Sequence, residues 1–172
     1  MLRKRSPLLV VVVGVVSLLL VATAAVAIAK GPDKVLQWKT MVGVPAGLTG
    51  AQSQVPLRGI NGGGIPWTIA QGHGTLSASG HLEIEVEGLV LAAGTNAGSN
   101  PSATFRALVS CVNPDGTFTN VLSSAFPATT GQASAGGGNS EIETDVSLPS
   151  TCIAPIVFVT SATGSWFAST GF

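Results

Sequence analysis

The chain has 172 residues with eight basic and eight acidic groups, so its formal charge is zero, and only 9% of it is charged, against roughly 25% in an ordinary soluble domain. Beyond Lys39 the only basic residues are Arg58 and Arg106, too few cations for the phosphate neutralisation that drives nucleic-acid binding. Adhesion to an anionic membrane surface is disfavoured on the same ground.

Residues 1–29 read as a secretory leader. Arg3, Lys4 and Arg5 form a basic start, an apolar run begins at Leu8, and small residues close the segment at Ala29. Cleavage fits after Ala25-Val26-Ala27 or after Ala27-Ile28-Ala29, and the second site leaves Lys30 as the new terminus. The alternative is an uncleaved anchor, because residues 8–29 are mostly apolar and about 20 apolar residues suffice to span a bilayer. The basic residues ahead of the run hold the N-terminus in the cytoplasm in either case. The expected location is therefore secreted or extracytoplasmic, or single-pass anchored with the C-terminal part outside, and the membrane is a partner only if the segment stays uncleaved.

Without residues 1–29 the chain has 143 residues, the size of one domain, and five basic against eight acidic groups, net −3. Residues 30–34 read as a short linker and 35–172 as the folded domain. Strands are predicted at 35–42, 67–71, 74–77, 82–87, 103–112, 117–126, 141–148, 153–160 and 165–170. Two of these alternate cleanly. Leu82, Ile84 and Val86 interleave with Glu83, Glu85 and Glu87, and Ile142, Thr144, Val146 and Leu148 interleave with Glu141, Glu143, Asp145 and Ser147. Period two is the mark of a strand with one buried and one wet face. Gly and Pro punctuate the rest too often for long helices.

Turn chemistry sets two hairpins. Asn113-Pro114-Asp115-Gly116 places Pro where a type I turn wants its fixed φ, with Gly at the following positive-φ bulge position. A three-residue loop at Ala78-Ser79-Gly80 sets Leu76 opposite Leu82 on the buried face and His73 opposite Glu85 on the wet one, whereas a two-residue loop sets Leu76 opposite Glu83. Residues 45–66, with Pro45, Pro56 and Pro66, read as a long crossing loop that includes a short edge strand near 55–58. Residues 131–138 read as a second, flexible loop. The expectation is an all-β fold, a single antiparallel β-sandwich of about seven to nine short strands.

Cys111 and Cys152 are the only cysteines. An even count in an exported chain reads as a disulfide, and neither a nearby His nor a Cys-x-x-Cys spacing favours a reactive thiol or a metal pair. Closing a ring of this size stabilises by about 4 kcal/mol in the chain-entropy model.

Candidate chemistry is sparse. The Glu83, Glu85, Glu87 stripe has carboxylates about 6–7 Å apart along the strand, a spacing compatible with an inverting glycosidase. A general acid needs a pKa raised by burial or a like charge, and an alternating surface stripe reads more simply as a solvated face that discourages edge pairing. The same holds for Glu141, Glu143 and Asp145. If the two stripes were adjacent their oxygens could chelate Ca²⁺, but no Asp-rich calcium loop is present, so no metal or cofactor is assigned. His73 and His81 are too few for a multi-histidine zinc site, and a His73–Glu85 pair with a Ser lacks the Gly-x-Ser-x-Gly elbow of a triad hydrolase. No catalytic residue is assigned.

Trp67 and Trp166 lie in Gly- and Pro-rich surroundings; a sandwich of this size needs buried aromatics, so the first reading puts both in the core, and the alternative makes them candidate ligand contacts, through sugar stacking or a partner's pocket. A few motifs are set aside. Leu148-Pro149-Ser150-Thr151 is followed by Cys152 where a sortase signal needs Gly. The lack of Tyr argues against a membrane barrel. Asn100-Pro101-Ser102 is barred from glycosylation by its proline. The reading that results is an exported non-enzymatic β-sandwich, a surface, envelope or interaction module with an unknown protein or glycan partner. The alternative is a secreted hydrolase or carbohydrate-binding protein using Trp67, Trp166 and the strand carboxylates.

Overall fold

The computed structural model describes residues 33–46 and 56–170. The leader or anchor at 1–29, most of the linker, and residues 47–55 of the crossing loop lie outside the described residues. In chain order the strands are β1 (Lys34–Trp38), β2 (Met41–Gly43), β3 (Trp67–Thr68), β4 (Gln71–Ser77), β5 (His81–Glu87), β6 (Val90–Leu91) and β7 (Ser99–Asn100). These are followed by β8 (Thr104–Val112), β9 (Phe118–Pro127), β10 (Gly131–Gln132), β11 (Ser140–Asp145), β12 (Ile153–Thr160) and β13 (Trp166–Thr170). Nine of them form two antiparallel sheets that pack on one another, ordered β1-β4-β5-β11 and β2-β13-β12-β8-β9. Two short ribbons, β3-β6 and β7-β10, complete the all-β sandwich.

Alternation builds the layers. Leu82, Ile84, Val86 and Ile142 on one sheet and Phe105, Ala107, Val109, Val157 and Val159 on the other are buried. Each large apolar side chain so buried is worth about 1.5–3 kcal/mol relative to exposure. The hairpin registers follow the turn argument: Leu76 pairs with Leu82 and His73 with Glu85. Asn113 receives the Gly116 N–H at 2.9 Å, with Gly116 at φ 85°.

The structure redraws several elements. The run predicted at 35–42 is two strands in different sheets: β1 pairs with β4, and after Lys39-Thr40 the chain turns the corner and β2 pairs with β13. The runs at 67–71 and 74–77 belong to β3 and to a continuous seven-residue β4. β4 was hidden because its inward positions include glycines. A Cβ on Gly74 would sit 2.5 Å from the Trp38 ring, so the glycine admits that indole to the core.

Residues 131–138 are a hydrogen-bonded structure rather than a loose loop. They contain β10 and a 3-10 turn at Ala133–Ala135, and the N–H of Gly138 donates to the Thr129 carbonyl at 2.7 Å. Gly138 has φ 84°, and a Cβ there would lie 2.5 Å from the Leu89 backbone. These glycines serve close approach.

The described end of the crossing loop lies over the five-stranded sheet. Arg58 donates to the Ser110 carbonyl at 3.0 Å, its guanidinium lies 5.7 Å from the Phe118 ring centroid, and Gly62 bridges to Trp166 in parallel. In place of an edge strand, Leu57 makes an isolated bridge to Ile60. The sheet is consequently buried on both sides at its centre, with Phe105 and Val109 alternating with Leu108 and Ser110.

Cys111 and Cys152 form a disulfide with their Cα atoms 4.8 Å apart. They join neighbouring strands of one sheet at the β8 and β12 ends where Ile153 pairs with Val112. Between them the chain leaves for β11 in the other sheet and returns, so the bridge closes that excursion. A disulfide fits an oxidising, extracytoplasmic compartment. Among the described residues no helix is long and apolar enough to cross a membrane.

Candidate functional site

Six of the eight acidic residues lie on β5 and β11, and these strands are paired. Glu83 stands opposite Glu143, Glu85 opposite Glu141, and His81 opposite Asp145. The two stripes seen in the sequence are thus one patch on the outer face of the four-stranded sheet. On the other side of β5, His73 faces Glu85 and Thr75 faces Glu83. Directly opposed residues have their Cβ atoms about 4.5–5.5 Å apart, and like charges so placed are destabilising.

The histidines offset part of this. His73 Nε2 lies 3.0 Å from Glu85 Oε2, with both side chains half-exposed. His81 contacts two carboxylates, Nδ1 to Asp145 Oδ1 at 3.0 Å and Nε2 to Glu83 Oε1 at 3.2 Å. A neutral imidazole has one N–H, so both contacts are satisfied together only by the imidazolium. The hydrogen bond to Asp145 first, then that to Glu83, accordingly raises the His81 pKa above its ordinary value.

Neither Arg58 nor Arg106 contributes to this face. Arg58 is held over β8, where burial lowers its pKa. Arg106 donates from Nε to the Ser123 carbonyl at 2.7 Å and from Nη1 to the Ala162 carbonyl at 3.0 Å.

A groove of about 750 Å³ runs across the strands of this sheet. Gln37 of β1 and Lys39 just after it stand at one end, followed by His73 and Thr75 of β4. Glu83 and Glu85, then Glu141 and Glu143, come next, and Phe126 of β9 closes the far end. A smaller depression of about 380 Å³ shares Glu85 and Glu141 and extends the acidic surface to Glu87 and Asn139. Trp38 also lines the groove; it is 6% exposed, and its indole Nε1 is buried without a hydrogen-bond partner.

The patch holds one triplet with metal-ligand spacing. His81, Glu83 and Glu143 each offer a donor atom, all within 4.8 Å of one another. A mixed nitrogen and oxygen set of this kind suits a transition metal better than Ca²⁺, which takes oxygen ligands alone. As a catalytic pair the carboxylates are poorly sheltered, since Glu83 and Glu85 are 57% and 50% exposed.

The structure buries both tryptophans singled out in the sequence. Trp67 is 6% exposed and Trp166 3%. Trp67 stacks on Phe167 with centroids 3.9 Å apart, and Trp166 meets Phe158 edge-on at 5.8 Å. Sugar stacking needs an exposed ring face, so these residues belong to the core. Phe126, the aromatic that does reach the groove, and Trp38 were missed as groove residues; only the register of β9 and β1 against the other strands could have placed them. Comparisons with protein-family models, curated proteins and solved structures return no match.

Proposed function

We propose that this is an exported, non-enzymatic β-sandwich that acts as an interaction module, with the outer face of the four-stranded sheet as its recognition surface. The observation that carries this reading is the placement of polar chemistry: six carboxylates and both histidines gather on one solvated face crossed by a groove. Solvated carboxylates serve electrostatic recognition, whereas general acid catalysis calls for burial. The leader-like segment at 1–29 and the disulfide support export.

Site-specific photo-crosslinking in the producing cell tests the proposal. A crosslinker at position 85 is expected to trap a discrete partner, and one at position 118 on the other sheet is expected not to. Hydrolysis of a glycoside or ester panel that is abolished by Glu83→Gln with Glu143→Gln would overturn the reading in favour of a secreted hydrolase. Mass spectrometry of the native protein tests export separately: the expected mature chain begins near Lys30, and an intact N-terminus in the membrane fraction would establish an anchor.

A further inference from the structure

We infer that the groove docks a short, extended segment of a partner protein bearing lysine or arginine at alternate positions. This rests on the interaction-module reading and names its partner class.

The first support is charge. Glu83 with Glu143 and Glu85 with Glu141 are two successive like-charge cross-strand pairs, an arrangement that lowers stability when left alone. The two arginines among the described residues, Arg58 and Arg106, are bound to backbone carbonyls of the five-stranded sheet. A cationic ligand turns the repulsive array into an attractive one.

The second is shape. Strands lie about 4.8 Å apart, so a groove crossing four of them is about 14 Å long, which matches four or five extended residues at about 3.3 Å each. Alternate side chains of such a segment fall on one side about 6.6 Å apart, so two basic residues reach the carboxylates of β5 and β11. An apolar residue beyond them meets Phe126. A metal at His81, Glu83 and Glu143 would engage one end of the patch and leave Glu85, Glu141 and the length of the groove unused.

Fluorescence anisotropy with labelled Lys-Gly-Lys-Gly-Phe, using protein purified from its native compartment in buffer with a chelator, tests the inference. Saturable binding is expected, weakened about tenfold by Glu85→Gln with Glu141→Gln, as the loss of two exposed charge pairs implies. Raising the ionic strength is expected to weaken it further, and Glu-Gly-Glu-Gly-Phe is expected not to bind. Asp115→Asn removes a carboxylate outside the groove and is expected to leave the affinity unchanged. Absence of saturable binding, or equal loss in Asp115→Asn, would overturn the inference, as would binding of Zn²⁺ alone with no response to Lys-Gly-Lys-Gly-Phe. A partner trapped at position 85 alongside failure of the peptide would remove the basic-segment assignment and leave the interaction module standing.

Discussion

The two outer faces of the sandwich solve opposite problems. The five-stranded sheet is apolar on both sides, and the chain covers its second side itself, drawing the segment from Leu57 to Gly62 across it and anchoring Arg58 on Ser110. The four-stranded sheet is apolar only inward. Its outer side carries the carboxylates and receives no covering segment among the described residues. The described cations are partitioned in the same sense, with Arg58 and Arg106 on the covered sheet and Lys39 and His73 along the open groove. One face is covered by the chain's own segment, and the other keeps a surplus of carboxylates among the described residues.

Substitutions that separate the two faces should differ in size. The largest effect is expected on the covered side: Phe158→Ala, at a site with no exposure, should cost about 3–5 kcal/mol, read by denaturant unfolding. Cys152→Ser should cost about 2–5 kcal/mol while leaving the acidic face intact, and a thiol titration of native protein should find no free group. Gly138→Ala should cost about 1–3 kcal/mol, because it combines a left-handed φ with contact against Leu89. On the open face the sign reverses. Glu143→Gln should raise stability by about 0.2–1 kcal/mol at low salt by relieving its repulsion with Glu83, and the gain should fade as salt is added.

The smallest effect concerns His81. Its pKa is raised in the folded protein, so its contribution to stability is fully present below the unfolded-state pKa and is lost as pH rises through the folded-state value. Asp145→Asn should move the His81 titration midpoint down in an NMR pH series. A midpoint that stays in place would show that the Asp145 contact does not hold the imidazolium.

Much of this comparison was legible in the sequence, though unevenly. Period two exposed β5, β8, β9, β11, β12 and β13, because each presents alternating or β-branched runs long enough to count. It missed β6, β7 and β10, which have two residues each. β1 and β2 were merged, since alternation reports which side is buried and is silent on which sheet a strand joins. The acidic stripes were visible one at a time. Their adjacency was not, because β5 and β11 pair across more than fifty residues of chain and neither stripe encodes the other's position. For Trp67 and Trp166 the core reading holds over the ligand-contact alternative: Gly and Pro neighbours suggested exposed loops, yet those glycines admit close packing, as at Gly63 against Phe167.

The most direct test is a map of where a basic segment lands. In a ¹⁵N NMR titration with Lys-Gly-Lys-Gly-Phe, the expected shifts fall on Gln37, Thr75, Glu85 and Glu141 in a line across the four-stranded sheet, with Arg58 and Phe118 unmoved. Shifts centred on Arg58 and Phe118, or none at saturating peptide, would contradict the assignment of the open acidic face as the working surface.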